Sequence, residues 1–239
     1  MESKITFQYL SKSGFTFSVN PDIITDIENL INQITLELNK KKEEGKFVCY
    51  ISVPISPTGG GDFRTNNEIA GFVENKVLAL FGEDLWVLNP AKYNLPKSAG
   101  GGDYMAIWSD ILAGINGEGE DLDMVYFIGP NDVWNYFDIS HTDRIVTLKN
   151  WLKKKAESDE HYKNIISDEQ SLKSFLRYYA IRGSVAYSKG AHDEWNIITA
   201  LNSKRSIGND IAVYFDGRPI EPGDFDDSTD FGYQTNFHL

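Results

Sequence analysis

Four short and almost continuous apolar runs constrain the fold of this chain more than any other feature. They read FVCYISVPI from Phe47, LWVLNP from Leu85, DMVYFIGP from Asp123 and DIAVYF from Asp210. A strand that is apolar on both sides must be covered on both faces, as in a parallel sheet. Because helical patterns separate the runs, we predict an α/β fold, a Rossmann-like parallel sheet flanked by helices and joined by right-handed crossovers.

Two segments fall outside this repeating pattern. Residues 1–45 alternate apolar and polar side chains around a turn at residues 11–14, and then show helical spacing after Asn20 and Pro21. They predict a hairpin and a helix packed on the core. Residues 46–239 are predicted to form the α/β domain. Its stretch at about 131–186 has helical patterns without a buried strand, which predicts a helical insertion and a candidate lid.

Composition limits the classes of partner. The 239 residues include 35 Asp and Glu against 23 Lys and Arg, and the net charge of −12 disfavours nucleic acid polymers and anionic membranes. The sequence has no run of about twenty apolar residues and no basic leader followed by an apolar segment, so we expect a soluble, cytoplasmic protein. Cys49, the one cysteine, predicts a buried thiol. The four histidines show no zinc-site spacing, and we expect neither a metal nor a cofactor.

The loop SPTGGGDFR, at residues 56–64, follows the first apolar run. In a parallel sheet, ligands bind where the carboxyl ends of strands meet loops and helix N-termini. Three consecutive glycines would allow close backbone approach, and the next helix would offer N–H groups to an anion. The spacing matches neither GxxxxGK[ST] nor GxGxxG. A surface loop without a ligand is an equally open interpretation of this composition.

Two carboxylates precede predicted strands. Asp110 lies in the helix before the third strand, and Glu194 lies in YSKGAHDEW, at the predicted start of a helix from about His192. The positive end of a helix dipole stabilises an ionised carboxylate, so Glu194 could act as a nucleophile or only as a cap. Taken singly, each residue also fits an ordinary solvated helix position.

The order CYISVPIS, YMAIWSDILAGI, DMVYFIGP, YSKGAHDEWNIITAL and DIAVYF resembles the nucleoside 2-deoxyribosyltransferase family, with its relatives that hydrolyse nucleotide N-glycosidic bonds. The resemblance covers about residues 47–215. It implies that Glu194 is the nucleophile, that Asp110 is the acid or the carboxylate that contacts the base, and that Tyr50 orients the nucleophile. Residues that the resemblance implies for sugar or phosphate binding are Ser56, Gly59, Gly60, Gly61, Arg64, Ser188 and Gly190.

The resemblance implies cleavage of a nucleoside or nucleotide, by hydrolysis or by deoxyribosyl transfer. Bulky Trp195 beside Glu194 and the insertion depart from the family pattern. A nucleotide-binding or sensing module without catalysis, and an interaction protein that uses the insertion and the acidic surface, stay open as alternatives. The aromatic tail, with Phe231, Tyr233 and Phe237, is expected to pack on the domain or to reach a neighbouring subunit of a homo-oligomer.

Overall fold

The N-terminal part of the chain forms a hairpin and a long helix, as the sequence predicts. The computed structural model describes residues 6–57, 61–140, 142–206, 208–220 and 229–236. Strands β1 (Phe7–Leu10) and β2 (Thr16–Val19) pair antiparallel. Helix α1 (Ile24–Glu43) follows a short 3-10 turn, in which the Asn20 side chain accepts a bond from the Asp22 N–H. One face of α1 is buried at helical spacing, through Ile27, Leu30, Ile31, Ile34 and Leu38.

The predicted α/β fold with a mostly parallel sheet is confirmed. The central sheet contains β3 (Phe47–Ser52), β4 (Leu85–Leu88), β5 (Met124–Phe127), β6 (Ala212–Phe215) and β7 (Arg218–Pro219), in the order β4-β3-β5-β6-β7. The first four strands are parallel, and β7 is antiparallel to β6. The sequence did not predict β7, because two residues cannot show a periodic pattern.

Helices α2 (Phe63–Phe81) and α3 (Gly101–Ala113) connect the first strands. The chain leaves β3 through α2 to β4 on one side, and later passes through α3 to β5 on the other side. The carboxyl ends of β3 and β5 therefore flank a topological switch point, where α/β sheets bind ligands. Helix α2 begins at Phe63, because the Asp62 carboxylate caps it by accepting the Thr65 N–H at 2.8 Å.

The predicted insertion is built from four short helices. They are α4 (Pro130–Tyr136), α5 (Arg144–Ala156), α6 (Glu160–Ser167) and α7 (Glu169–Arg177), and a π-helical turn follows at Tyr178–Arg182. Within the described part of residues 131–186 there is no strand. Phe137 and Trp151 have ring centroids 4.7 Å apart, and the rings of Phe175 and Tyr179 are 4.5 Å apart. These aromatic contacts pack the helices of the insertion together, and the rings belong to the same hydrophobic core as the sheet.

Helix α8 (Lys189–Asn202) and strand β8 (Gln234–Asn236) complete the described structure. The helix begins three residues before the predicted His192. Strand β8 pairs antiparallel with β2, so the N-terminal hairpin becomes a three-stranded sheet, an arrangement that the sequence did not predict. Successive strand residues point to opposite faces of a sheet. Tyr50 faces α3 and α8, because it contacts Trp108 and Glu194, whereas Tyr126 faces α2 through Lys76.

The environment of Cys49 and the character of the helices bear on two further predictions. Cys49 is buried as predicted, and burial raises the pKa of its thiol. Among the described helices, none combines the length and the apolar character that crossing a membrane requires.

Candidate active site

Glu194 is the centre of the candidate site. Its side chain is buried, and the Tyr50 hydroxyl donates to its Oε1 atom at 2.5 Å. The Ser52 hydroxyl donates to the second oxygen, Oε2. Tyr50 and Ser52 are two residues apart on β3, so they share the sheet face that α8 covers. Glu194 is therefore held at both oxygens by one strand, next to the switch point.

The environment of Glu194 differs from the one expected. Helix α8 begins at Lys189, and Ser188 caps it by accepting the Ala191 N–H at 3.4 Å, so Glu194 lies in the second turn rather than at the helix start. The helix dipole acts mainly within the first turn. Burial raises the pKa of Glu194 to about 7, and the bonds from Ser52 and Tyr50 counteract part of this effect. The expectation of a dipole-stabilised anion is wrong, and Glu194 ionises only near neutral pH.

Asp110 has different neighbours. The Tyr9 hydroxyl donates to Oδ2 at 2.7 Å, and the Lys12 backbone N–H donates to Oδ1 at 2.7 Å. Asp110 follows Trp108 by two residues, which is a rotation of about 200° around α3. Because Trp108 faces β3, Asp110 faces the N-terminal hairpin. The prediction that the fold brings Asp110 and Glu194 to one linkage is corrected: Asp110 attaches the hairpin to α3, and it shares no described partner with Glu194.

The glycine loop is only partly described. Gly59 and Gly60 lie outside the described residues. Ser56 is exposed, and its carbonyl accepts a bond from the Asn66 side chain at 3.3 Å. At Gly61, a β-carbon would lie 2.9 Å from the Tyr178 ring, so glycine is required there by the close approach of the insertion.

Arg64 pairs with the insertion. Its guanidinium lies 2.6 Å from Oδ2 of Asp159 and 3.5 Å from Oε1 of Glu68. Asp159 caps α6, so this ion pair joins the start of α2 to the insertion. His161 makes a second link in the same place, with its Nε2 atom 2.8 Å from Oδ2 of Asp62. Asp159 and Glu68 pair with Arg64 in the described state, and its expected contact with a sugar or phosphate stays a prediction.

The two residues expected at the start of α8 have structural roles in the described state. Ser188 is the N-cap of the helix. Gly190 faces α3, and a β-carbon there would lie 3.4 Å from the sulfur of Met105. The small residue therefore allows α3 and α8 to pack closely. Their predicted contact with a sugar or phosphate stays a prediction.

Two cavities lie near the insertion. The smaller, about 10 Å³, is bounded by Val53, Ile128 and Tyr178 at the ends of β3 and β5. That volume corresponds to about one water molecule. The larger is an open depression of about 440 Å³ on the insertion, with Arg144 and Ile181 on its wall, and it contains none of the predicted site residues.

Sequence reasoning missed two groups, of which Ser52 contacts Glu194 and Asp193 anchors the C-terminal segment. Ser52 could have been found, because it follows Tyr50 by the two residues that place both side chains on one strand face. Asp193 accepts the backbone N–H groups of Gly232 at 2.9 Å and Tyr233 at 2.6 Å. Tyr233 thus packs on its own chain. A contact of the tail with a neighbouring subunit stays a prediction, and Phe237 lies outside the described residues.

Within the described part of the chain, no three His, Cys, Asp or Glu side chains are grouped so that they could hold a metal ion. In comparisons with protein-family models, curated proteins and solved structures, nothing matches this chain. The resemblance to the deoxyribosyltransferase family therefore depends on the short motifs quoted above.

Proposed function

We propose that this protein cleaves the N-glycosidic bond of a nucleoside or nucleotide through Glu194, with water or a second base as acceptor. The observation that carries the proposal is the buried Glu194 carboxyl, which Tyr50 and Ser52 hold at the switch point of the sheet. A burial-raised pKa of about 7 leaves this group able to ionise at neutral pH. Buried carboxyl groups with such values are typical of catalytic sites.

The reaction needs one nucleophilic carboxylate. An oxygen of ionised Glu194 attacks C1′, and the C1′–N bond breaks with its electron pair passing to the base, which takes up a proton. Water then attacks C1′ of the glycosyl-enzyme, the bond from C1′ to Glu194 breaks, and the water proton balances the one gained by the base. A second base in place of water gives transfer. Tyr50 and Ser52 orient the carboxylate in both steps.

Asp110 has no part in this proposal. Both of its oxygens accept bonds from the N-terminal hairpin, so it is a structural carboxylate. The base would obtain its proton from solvent.

A non-catalytic nucleotide-binding module is the second candidate function. It is favoured by the two hydroxyl bonds that already occupy Glu194 and by the small size of the cavity at the switch point. In this case, the ligand would stabilise the protein without losing its base. The resemblance supports this alternative as well, since a family fold can lose its chemistry.

One experiment separates these functions. The protein is incubated with nucleosides, nucleoside monophosphates and NAD, and free base is measured by chromatography. Base release that disappears in Glu194→Gln and persists in Glu74→Gln supports catalysis. Glu74 is a suitable control, because it is a partly buried carboxylate on α2 that binds Lys92 and Asn89. Thermal stabilisation without release would favour the binding module. Neither release nor binding would favour an interaction protein.

A further inference from the structure

The C-terminal strap, defined here as residues 229–236, lies across the N-terminal ends of α3 and α8. A β-carbon at Gly101 would lie 2.1 Å from the ring of Tyr233, and a β-carbon at Gly232 would lie 1.8 Å from the Lys189 carbonyl oxygen. Gly101 and Lys189 are the first residues of the two helices. In a parallel α/β sheet, these helix ends are at the edge where ligands bind. The strap therefore covers that edge on the face that carries Glu194.

Two polar side chains of α8 fix the strap. Asp193, the neighbour of Glu194, accepts the N–H groups of Gly232 and Tyr233. Asn196 exchanges two bonds with the Thr229 backbone, at 2.8 Å and 3.1 Å. The strap then continues as β8, in which Gln234 is the residue opposite Phe17 of β2. Gln234 is thus held one residue beyond the Asp193 anchor.

The Gln234 side chain has an unusual environment. Its exposed fraction is 7 %, yet neither amide atom has a hydrogen-bond partner among the described residues. Its neighbour Thr235 points to the outer face, where its hydroxyl donates to Gln8 at 2.6 Å. The pairing of β8 with β2 is irregular between Thr16 and Phe17, but Gln234 is buried whereas Thr235 is exposed, so Gln234 lies on the inner face. Burying an amide without hydrogen-bond partners costs folding free energy. Such a group in a folded protein therefore points to a bound molecule or a water that supplies the hydrogen bonds.

We propose that the Gln234 amide binds the base of the substrate, and this inference rests on the proposed function. A carboxamide offers one acceptor and two donors in a plane. It is complementary to a heteroaromatic base that presents a donor beside an acceptor on one edge, as the amino group and N7 of adenine do. The strap that carries Gln234 is anchored on Asp193, the residue before Glu194, so the base would bind at the same end of α8 as the proposed nucleophile. Gln234 is a specificity-determining residue in this arrangement.

The test compares Gln234→Met with wild type and with Gln8→Met. Gln234→Met keeps the length of the side chain and removes every hydrogen-bonding atom, while Gln8→Met alters an exposed contact of the same strap. Thermal stabilisation is measured with adenine, hypoxanthine, uracil and cytosine, and with ribose 5-phosphate as a ligand that has no base. We expect at least one base to stabilise wild type. Gln234→Met should bind it about tenfold more weakly or worse, with ribose 5-phosphate unaffected.

Gln234→Glu provides a second variant that keeps the shape and the acceptor atoms but removes the donors. It should change which base binds, a result that an unfolded or damaged protein would not give. Equal binding of the bases by wild type and both variants would overturn the inference, and so would the absence of base binding by wild type. A loss of thermal stability in Gln234→Met without ligand, together with unchanged base binding, would identify a water-bridged structural amide instead.

Base release is measured in the same samples, so that the two proposals fail separately. Release from wild type that is unchanged in rate and preference in Gln234→Met would leave the proposed function intact and reject the role of Gln234. Base binding that depends on Gln234, without release from any nucleoside or nucleotide, would reject catalysis and support base recognition by a binding module.

Discussion

Glu194 and Asp110 are two carboxylates with the same exposed fraction, 6 %, and each accepts a bond from a tyrosine hydroxyl. They differ in their second partner and in what they connect. Asp110 accepts a second hydrogen bond from the Lys12 backbone N–H, and it thereby joins the hairpin to α3. Glu194 accepts its second hydrogen bond from the Ser52 hydroxyl, so both of its partners are side chains of β3. Burial together with a tyrosine partner therefore does not separate the carboxylate that we propose as nucleophile from the structural one. The second hydrogen-bond partner is what differs between them.

The largest expected difference between the two carboxylates is in activity. Glu194→Gln should lower the rate of base release on the order of 10³-fold or more, because the substituted amide cannot attack C1′. Asp110→Asn should retain release per folded molecule within a few-fold. Initial rates, corrected for the folded fraction by circular dichroism, measure both. Equal losses in the two variants would remove the distinction on which the assignment depends.

The second largest expected effect is a change in the pH dependence of stability in Glu194→Gln. The pKa of Glu194 is raised by burial to about 7, against 4.5 for the unfolded chain. Between these values the folded protein holds a proton that the unfolded chain releases, so wild-type stability falls as pH rises from about 4.5 to about 7. The Glu194→Gln variant does not lose stability in this way, because a glutamine side chain does not ionise. Its free energy of unfolding relative to wild type should increase by roughly 3 kcal/mol over that interval, measured by urea denaturation.

Asp110→Asn should act on the attachment of the hairpin. The amide oxygen can accept only one of the two bonds, so both charge-assisted bonds cannot be kept, and the Tyr9 hydroxyl would have to reverse its role and accept from the amide N–H. We expect a loss of about 1–3 kcal/mol in the free energy of unfolding. Hydrogen exchange should localise the increased opening to β1 and β2. Unchanged stability would mean that the hairpin is held mainly by its buried residues, such as Phe17 and Val19.

The smallest expected effect comes from the hydroxyls on β3. Both lower the pKa of Glu194, so Ser52→Ala and Tyr50→Phe should each move the rising limb of the pH–rate profile to higher pH. A shift of about one pH unit corresponds to one hydrogen bond of ordinary strength. Thr65→Ala on α2 is the matched control, because it also removes a buried hydroxyl bonded to a carboxylate. A profile that does not move in either variant would contradict a direct role of these bonds.

The sheet could be predicted from sequence because its strands are covered on both faces and read as apolar runs. Tyr50 and Glu194 could be paired only through the family resemblance, since 143 residues separate the two in the chain and no local pattern links them. Asp110 was misplaced for a physical reason: the sequence shows that it lies on a helix, but the rotation of that helix depends on packing with the hairpin. The strap could not be predicted, because its contacts are with backbone groups of distant segments.

Tyr50 and Ser52 lie two residues apart on β3 and point to the same face of the sheet. Strand β3 is hydrogen-bonded to β4 on one side and to β5 on the other. A slip of β3 by a single residue would turn both hydroxyls to the opposite face and leave Glu194 buried with neither. Under the proposed function, a refolded sample that recovers base release has thus recovered the register of β3 against β4 and β5. Such activity would report on strand alignment in that part of the sheet.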